Sequence, residues 1–348
     1  MNRRTFVGAC ASALATSGAA CSSKAPRLNV FNWSSYVAPD TISNFEQETG
    51  IRVRYGTYEG APEMLAKVMG GNSGWDIVFP STEYVQPMRD LGLLARLDPS
   101  RLSNLHQLSP EFQQPSWDPE LNWAIPYMHG TTGIVFQKQL AISQWQNLWE
   151  PRLAGRITML EDAPEVLGAC LKTLGYSLNS SVPAELRAAQ ARAIAQKPIL
   201  RAYLNAEVAD QLVAGDVGAA QAWSVTAAQA ISGAPERLQY VFPSEGFARY
   251  ADNASILKEA EGRGNARVEA AYRFIDYLMR PHVAADIVVA MRTTTCNGAA
   301  YSLLPQDLRE NPVLYPASDV LKRGEWFTPQ STSGQRLRDR LWTELKSA

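Results

Sequence analysis

Apolar and polar positions alternate in short blocks along the chain, and each block carries the period of one element. RLNVFNW at 27–33 is an apolar-rich strand, and PDTISNFEQETG at 39–50 follows as a helix closed by Gly50, the residue best suited to a left-handed C-cap. IRVRYGTYE at 51–59 alternates β-branched and aromatic residues as a strand does, and EMLAKVMGG at 63–71 returns to the helical period. GWDIVFPST at 74–82 is a buried strand broken at Pro80, with a helix predicted over YVQPMRDLGLLARL at 84–97. Alternating β and α units of this length imply a largely parallel sheet covered by helices. In such sheets ligands bind beyond the carboxyl ends of the strands, which is where Trp33, Tyr36, Ser81 and Glu83 fall.

The second half of the chain starts its own set of elements. LNWAIPYMHGTTGIVFQ at 121–137 is a long extended segment, with Pro126 the expected point of departure from a first lobe. A helix is predicted at 183–196, and GAAQAWSVTAAQA at 218–230 is Ala-rich, a packing signal only. A helix at 266–279 is stopped by Pro281, and RLRDRLWTELKS at 336–347 is an amphipathic helix at the end of the chain.

One stretch has two readings. In LEDAPEVLGACLKTLG at 160–175, Asp162 and Glu165 stand three positions apart at a helix start, on one face and with Cβ atoms roughly 5–6 Å apart. Asp as N-cap, Pro in the first turn and Glu at the third position make a capping box, which needs no ligand. Two anions on one face equally suit a cation beyond the helix start.

Residues 1–20 read as an export signal: two arginines, then an uncharged run rich in Ala, Ser and Gly. Arg3-Arg4 followed by Thr5-Phe6-Val7 resembles a twin-arginine signal, and Gly18-Ala19-Ala20-Cys21 resembles a lipoprotein cleavage box that would place a lipid on Cys21. Simple cleavage to a soluble protein is the other outcome, and both put the mature chain in the periplasm or cell envelope. Removing that segment takes away two basic residues, leaving 31 against 34 acidic ones and a formal charge of −3, which disfavours nucleic acid as a partner. Cys170 and Cys296 then remain; their spacing does not demand a disulfide, and two buried thiols are expected. Three histidines in 348 residues form no metal-ligand cluster. The chain has no G-x-S-x-G elbow, P-loop, H-E-x-x-H or dinucleotide-binding glycine motif, so neither a cofactor nor a familiar enzyme is expected. A glycosidase needs carboxylates on opposite sides of the scissile bond, not on one helical turn. A binding protein leads, with an exported hydrolase of unfamiliar type as the alternative.

The segments FNWSSYVAPDTISNFEQETGIRVRY at 31–55, GWDIVFPST at 74–82, IPYMHGTTGI at 125–134, EDAPEV at 161–166 and ENPVLYPASDVL at 310–321 together resemble the extracytoplasmic spermidine/putrescine-binding proteins of ABC transporters, over about residues 27–346. The resemblance implies an α/β, two-lobed periplasmic-binding-protein-like fold of type II, each lobe a mainly parallel sheet flanked by helices around a ligand cleft that closes by hinge motion. Lobe 1 is expected from 27–128 plus 249–293 and lobe 2 from 129–248 plus 294–348, with 21–26 a linker. It implies a monomer that serves ABC permease subunits and touches the membrane only through its lipid.

By the same resemblance, Trp33, Ser34, Tyr36 and Ser81 line one side of the cleft, Asp162 and Glu165 take one ammonium end, and Trp223, Tyr250 and Asp252 hold the rest. Four positions depart from the family's usual residues: Tyr250 for Trp or Phe, Thr293 for Tyr, Phe327 for Gln, and Glu83 for Tyr or Ser. The class stands, and the departures bear on which polyamine or other cationic metabolite is taken. A polyamine is a methylene chain with protonated nitrogens: aromatic faces sandwich the methylenes and carboxylates fix the ends through charge-assisted hydrogen bonds. Glu83 follows the strand at 74–82 and has two readings: a rim residue facing solvent, or a fourth anion in the cleft with Asp162, Glu165 and Asp252, in which case the site suits more than two ligand charges and favours spermidine over putrescine.

Overall fold

A computed structural model describes residues 26–348; the expected export signal and Cys21 lie outside the described residues. The first elements follow the hydrophobic pattern closely. Strand β1 (Arg27–Trp33), helix α1 (Thr41–Thr49), β2 (Arg52–Tyr58) and α2 (Ala61–Met69) succeed one another, and Gly50 ends α1 with φ 70°. Strand β3 is only Ile77–Val78, because Pro80 has no N–H to give a ladder. Helix α3 (Thr82–Asp90) stops well short of residue 97. Gly92 adopts φ 70°, and the chain beyond it turns extended so that Ala95 N–H donates to the Ile256 carbonyl at 2.8 Å.

After a one-turn helix α4 (Pro110–Gln113), the long strand β4 (Ile125–Gln137) continues past Pro126, where its register with the later strand at 247–256 shifts between Pro126 and Met128. There follow β5 (Ile157–Met159), α5 (Ala163–Thr173), α6 (Pro183–Gln196), β6 (Leu200–Tyr203) and α7 (Val208–Ala214). The Ala-rich stretch divides into strand β7 (Ala219–Trp223) and helix α8 (Ser224–Gly233), a division invisible to a pattern of uniformly small residues. Then come β8 (Leu238–Val241), β9 (Phe247–Ile256), α9 (Lys258–Gly262), α10 (Asn265–Leu278) and α11 (Pro281–Met291). Pro281 does more than stop α10: it opens α11 at a position where its missing N–H costs nothing. A short strand β10 (Gly324–Trp326) and a C-terminal helix (Thr332–Ser347) finish the chain.

The strands lie in the order β2-β1-β3-β9-β4-β7-β5-β6, with β10 beside β9 and β8 beside β4. The β1–β2, β1–β3, β5–β6, β5–β7 and β9–β10 pairs are parallel, whereas β4 and β9 pair antiparallel with each other, β4 with β7 and β8, and β9 with β3. These two long strands therefore join two parallel α/β sets. One apolar core gathers β1, α1, α2, the first residues of β4, the last of β9 and α10, with Phe45, Phe79 and Phe274 fully buried. A second collects the later part of β4, α5, α6 and the C-terminal helix around Trp145 and Phe136, and a third sits between β7, α7 and α8. Cys296 belongs to the first core and Cys170 to the second; both are buried and free. Among the described residues no helix is long and apolar enough to cross a membrane.

Candidate functional site

The first core and the second and third cores meet along a cavity of about 770 Å³ including its open mouth. Its walls are the carboxyl ends of β1 and β7, the helix starts of α3 and α5, and the middle of β9. Five carboxylates line it, from Glu59, Glu83, Asp162, Glu165 and Asp252, and among the described residues no Lys, Arg or His does.

Asp252 is placed by the backbone. Its position on β9 forms a bridge with Ser81 just past β3, held by the Asn253 N–H donating to the Pro80 carbonyl at 3.0 Å. The side chain, 1% exposed, accepts from Ser81 Oγ at 2.5 Å and from the Tyr36 hydroxyl at 2.6 Å. Burial pushes its carboxyl up to about 6, against the pull of those two hydrogen bonds.

Asp162 caps α5, accepting from the Glu165 N–H at 3.1 Å. Half of the expected capping box is present: Glu165 does not reach back, and instead its Oε1 accepts from Thr132 Oγ1 at 2.7 Å and from the Trp223 indole N–H at 3.0 Å. Both carboxylates line the cavity while also doing this structural work. Burial raises Asp162 to about 6 and, together with the Asp162 charge, lifts Glu165 well above the usual carboxylate range.

Glu83 lies in the first turn of α3 and is half-buried; its Oε2 is inaccessible to water and has no hydrogen-bond partner. Burial first, then the charges of Asp162 and Asp252, raises it to about 8. A buried, unpartnered carboxylate oxygen beside other acids is costly until a cation or a proton meets it.

The aromatic walls are equally fixed. Trp33 donates its indole N–H to the Phe79 carbonyl at 3.0 Å and meets the Trp223 ring edge-on, with centroids 6.2 Å apart. Tyr250 lies flat against β4 because residue 130 is glycine: a Cβ there would fall 2.4 Å from the Tyr250 hydroxyl oxygen. Phe327, just beyond β10, packs with Tyr250 and Leu178. Ser34 donates to Glu59 Oε2 at 2.9 Å.

The structure thus brings together every expected site residue but one. Thr293 is fully buried away from the cavity, its hydroxyl 3.4 Å from the Met128 sulfur, because α11 ends two residues earlier and the chain turns inward there. Sequence reasoning missed Glu59, Thr226 and Gln229 as lining residues. Glu59 was within reach, since it ends the predicted strand at 51–59 just as Trp33 ends the first one; the other two sit in the Ala-rich helix, which shows no polar pattern.

Residues 40–314 match the family described as bacterial extracellular solute-binding protein. The spermidine/putrescine-binding periplasmic protein of Salmonella typhimurium is 34% identical over 305 residues, spanning 86% of each chain. The putrescine-binding periplasmic protein SpuD of Pseudomonas aeruginosa is 31% identical over 341 residues, spanning 92% of each. A solved chain of Listeria monocytogenes assigned to a spermidine/putrescine ABC transporter aligns with a TM-score of 0.87 at 31% identity, covering 92% of this chain and 98% of that one.

Proposed function

This chain belongs to the bacterial extracellular solute-binding proteins, and we propose that it captures a polyamine outside the cytoplasm and delivers it to an ABC import permease, without turnover. The observation that carries the reading is the cavity wall: five carboxylates, the rings of Trp33, Tyr36, Trp223 and Tyr250, and, among the described residues, no basic side chain. Such a wall repels anions and leaves a neutral sugar with unpaired buried charges, while it matches ammonium groups separated by methylenes. Asp252, Asp162 and Glu165 hold ammonium ends, and the two tryptophans press on the methylene chain between them. The first core forms one lobe and the second and third form the other, with β4 and β9 as the hinge between them. The chain acts as a monomer, tethered through a lipid on Cys21.

Spermidine is preferred to putrescine. Glu83 offers a further acceptor with an unpartnered oxygen, which a diamine leaves unmet and a triamine's third ammonium satisfies. Calorimetric titrations with each polyamine test both levels: Glu83→Gln weakens spermidine selectively and narrows the gap. Absence of binding by any polyamine would refute the function, and a wild type that prefers putrescine would refute the preference alone.

A further inference from the structure

The loop between β6 and α7 carries a buried amide that joins the two sides of the cavity. Asn205 is 7% exposed. Its Oδ1 accepts from the Glu161 N–H at 3.0 Å, and its Nδ2 donates to the Glu59 carbonyl at 3.0 Å. A backbone donor on one side and a backbone acceptor on the other fix which end of the amide is which. The neighbours of Asn205, Leu204 and Val208, pack on the third core, whereas Tyr58 and Ala61, flanking Glu59, belong to the first. One side chain therefore spans from the residue that precedes Asp162 to the residue whose carboxylate holds Ser34. The next residue, Ala206, lines the cavity mouth.

We propose that Asn205 is a latch, a positioning residue that holds the two sides of the cavity together over the bound ligand and so sets how slowly the ligand leaves. The inference rests on the ligand-binding reading of the cavity. The bond to Glu161 stays within one side and survives separation of the cores; the bond to Glu59 crosses between them and exists only when they are together. Latching therefore acts on release, while entry through separated lobes is untouched.

The test uses two variants of the full chain. Asn205→Asp keeps the shape and the acceptor for Glu161 but sets a carboxylate oxygen against the Glu59 carbonyl; Asn205→Ala removes both bonds. Stopped-flow measurement with spermidine is expected to show dissociation about 2- to 10-fold faster in both, the range of one net hydrogen bond, with association unchanged. A residue that merely supported the fold would instead lower the melting temperature of the ligand-free protein and slow association. Acrylamide quenching of tryptophan emission in the ligand-free proteins gives a readout independent of polyamine, because separation of the cores exposes Trp33 and Trp223. If the wild type binds no polyamine, the functional reading fails and quenching alone decides the latch. Dissociation rates and quenching both equal to wild type in Asn205→Asp would overturn it.

Discussion

Affinity for polyamine is expected to depend steeply on pH, because the acids of the cavity are held partly protonated until a cation arrives. Burial, with the charges of Asp162 and Asp252, pushes the Glu83 carboxyl up to about 8. At pH 7 only about a tenth of it is ionised, so a ligand that requires the carboxylate binds about tenfold more weakly than at pH 9. Asp162 and Asp252, each near 6, add a second limb: between pH 7 and pH 5 each loses about another factor of ten. The ligand's ammonium groups stay charged from pH 5 to pH 7 and do not produce that trend; towards pH 9 their mutual repulsion starts to release a proton from a triamine, which works against the upper limb. Calorimetry at pH 7 in buffers of different ionisation enthalpy reads the protons directly: Glu83 is expected to release about one per polyamine bound, and Glu165, which burial also raises, adds to it. Glu83→Gln removes that proton and flattens the limb above pH 7. The sign for the empty protein is opposite. A carboxyl raised on folding adds stability that is complete below its unfolded value near 4 and is lost as pH climbs through the folded value, here 6 for the aspartates and 8 for Glu83. Stability from this cluster falls from pH 5 to pH 9 while affinity rises. Affinity level from pH 7 to pH 9, with no proton released at pH 7, would refute the reasoning.

Asp252→Asn is expected to weaken polyamine binding by roughly 2–5 kcal/mol, the usual cost of removing one member of a buried charge pair, while the melting temperature of the empty protein changes little; unchanged calorimetric affinity removes Asp252 from the site. Gly130→Ala forces the Tyr250 ring off β4 and is expected to cost about 1–3 kcal/mol of stability, with a parallel loss of affinity; an unaltered denaturation midpoint means that the ring has room to yield. Cys21→Ser is expected to move the protein from the membrane fraction to the soluble one, and a wild type already soluble after cleavage rules out the anchor.

Most of the cavity wall was legible because its residues sit at the ends of elements whose periods are clear. Trp33 closes an apolar run, Ser81 follows a broken one, and Asp162 with Glu165 opens a helix, so local pattern located them before any tertiary contact was known. Trp223, Tyr250, Asp252 and Phe327 came from resemblance, since nothing in an Ala-rich stretch or a polar strand marks them. Local pattern failed where small residues show no period, as at 218–230, where strand passes into helix at Trp223.

By itself the amino-acid sequence determined the alternation of strands and helices and the surplus of carboxylates and aromatic rings at strand ends, because these depend on neighbours within a few residues. Only the tertiary structure decided which of those groups meet. Asp162 and Glu165, equivalent on a helical wheel, part company: one is spent on its own helix N-terminus and the other on Thr132 and Trp223, more than thirty residues away. Thr293 turns into the core instead of the cavity, and Glu83 keeps one oxygen without a partner. Such outcomes rest on contacts between segments far apart in the chain, where the burial of one carboxylate is set by what another lobe lays over it, and no local period carries that information.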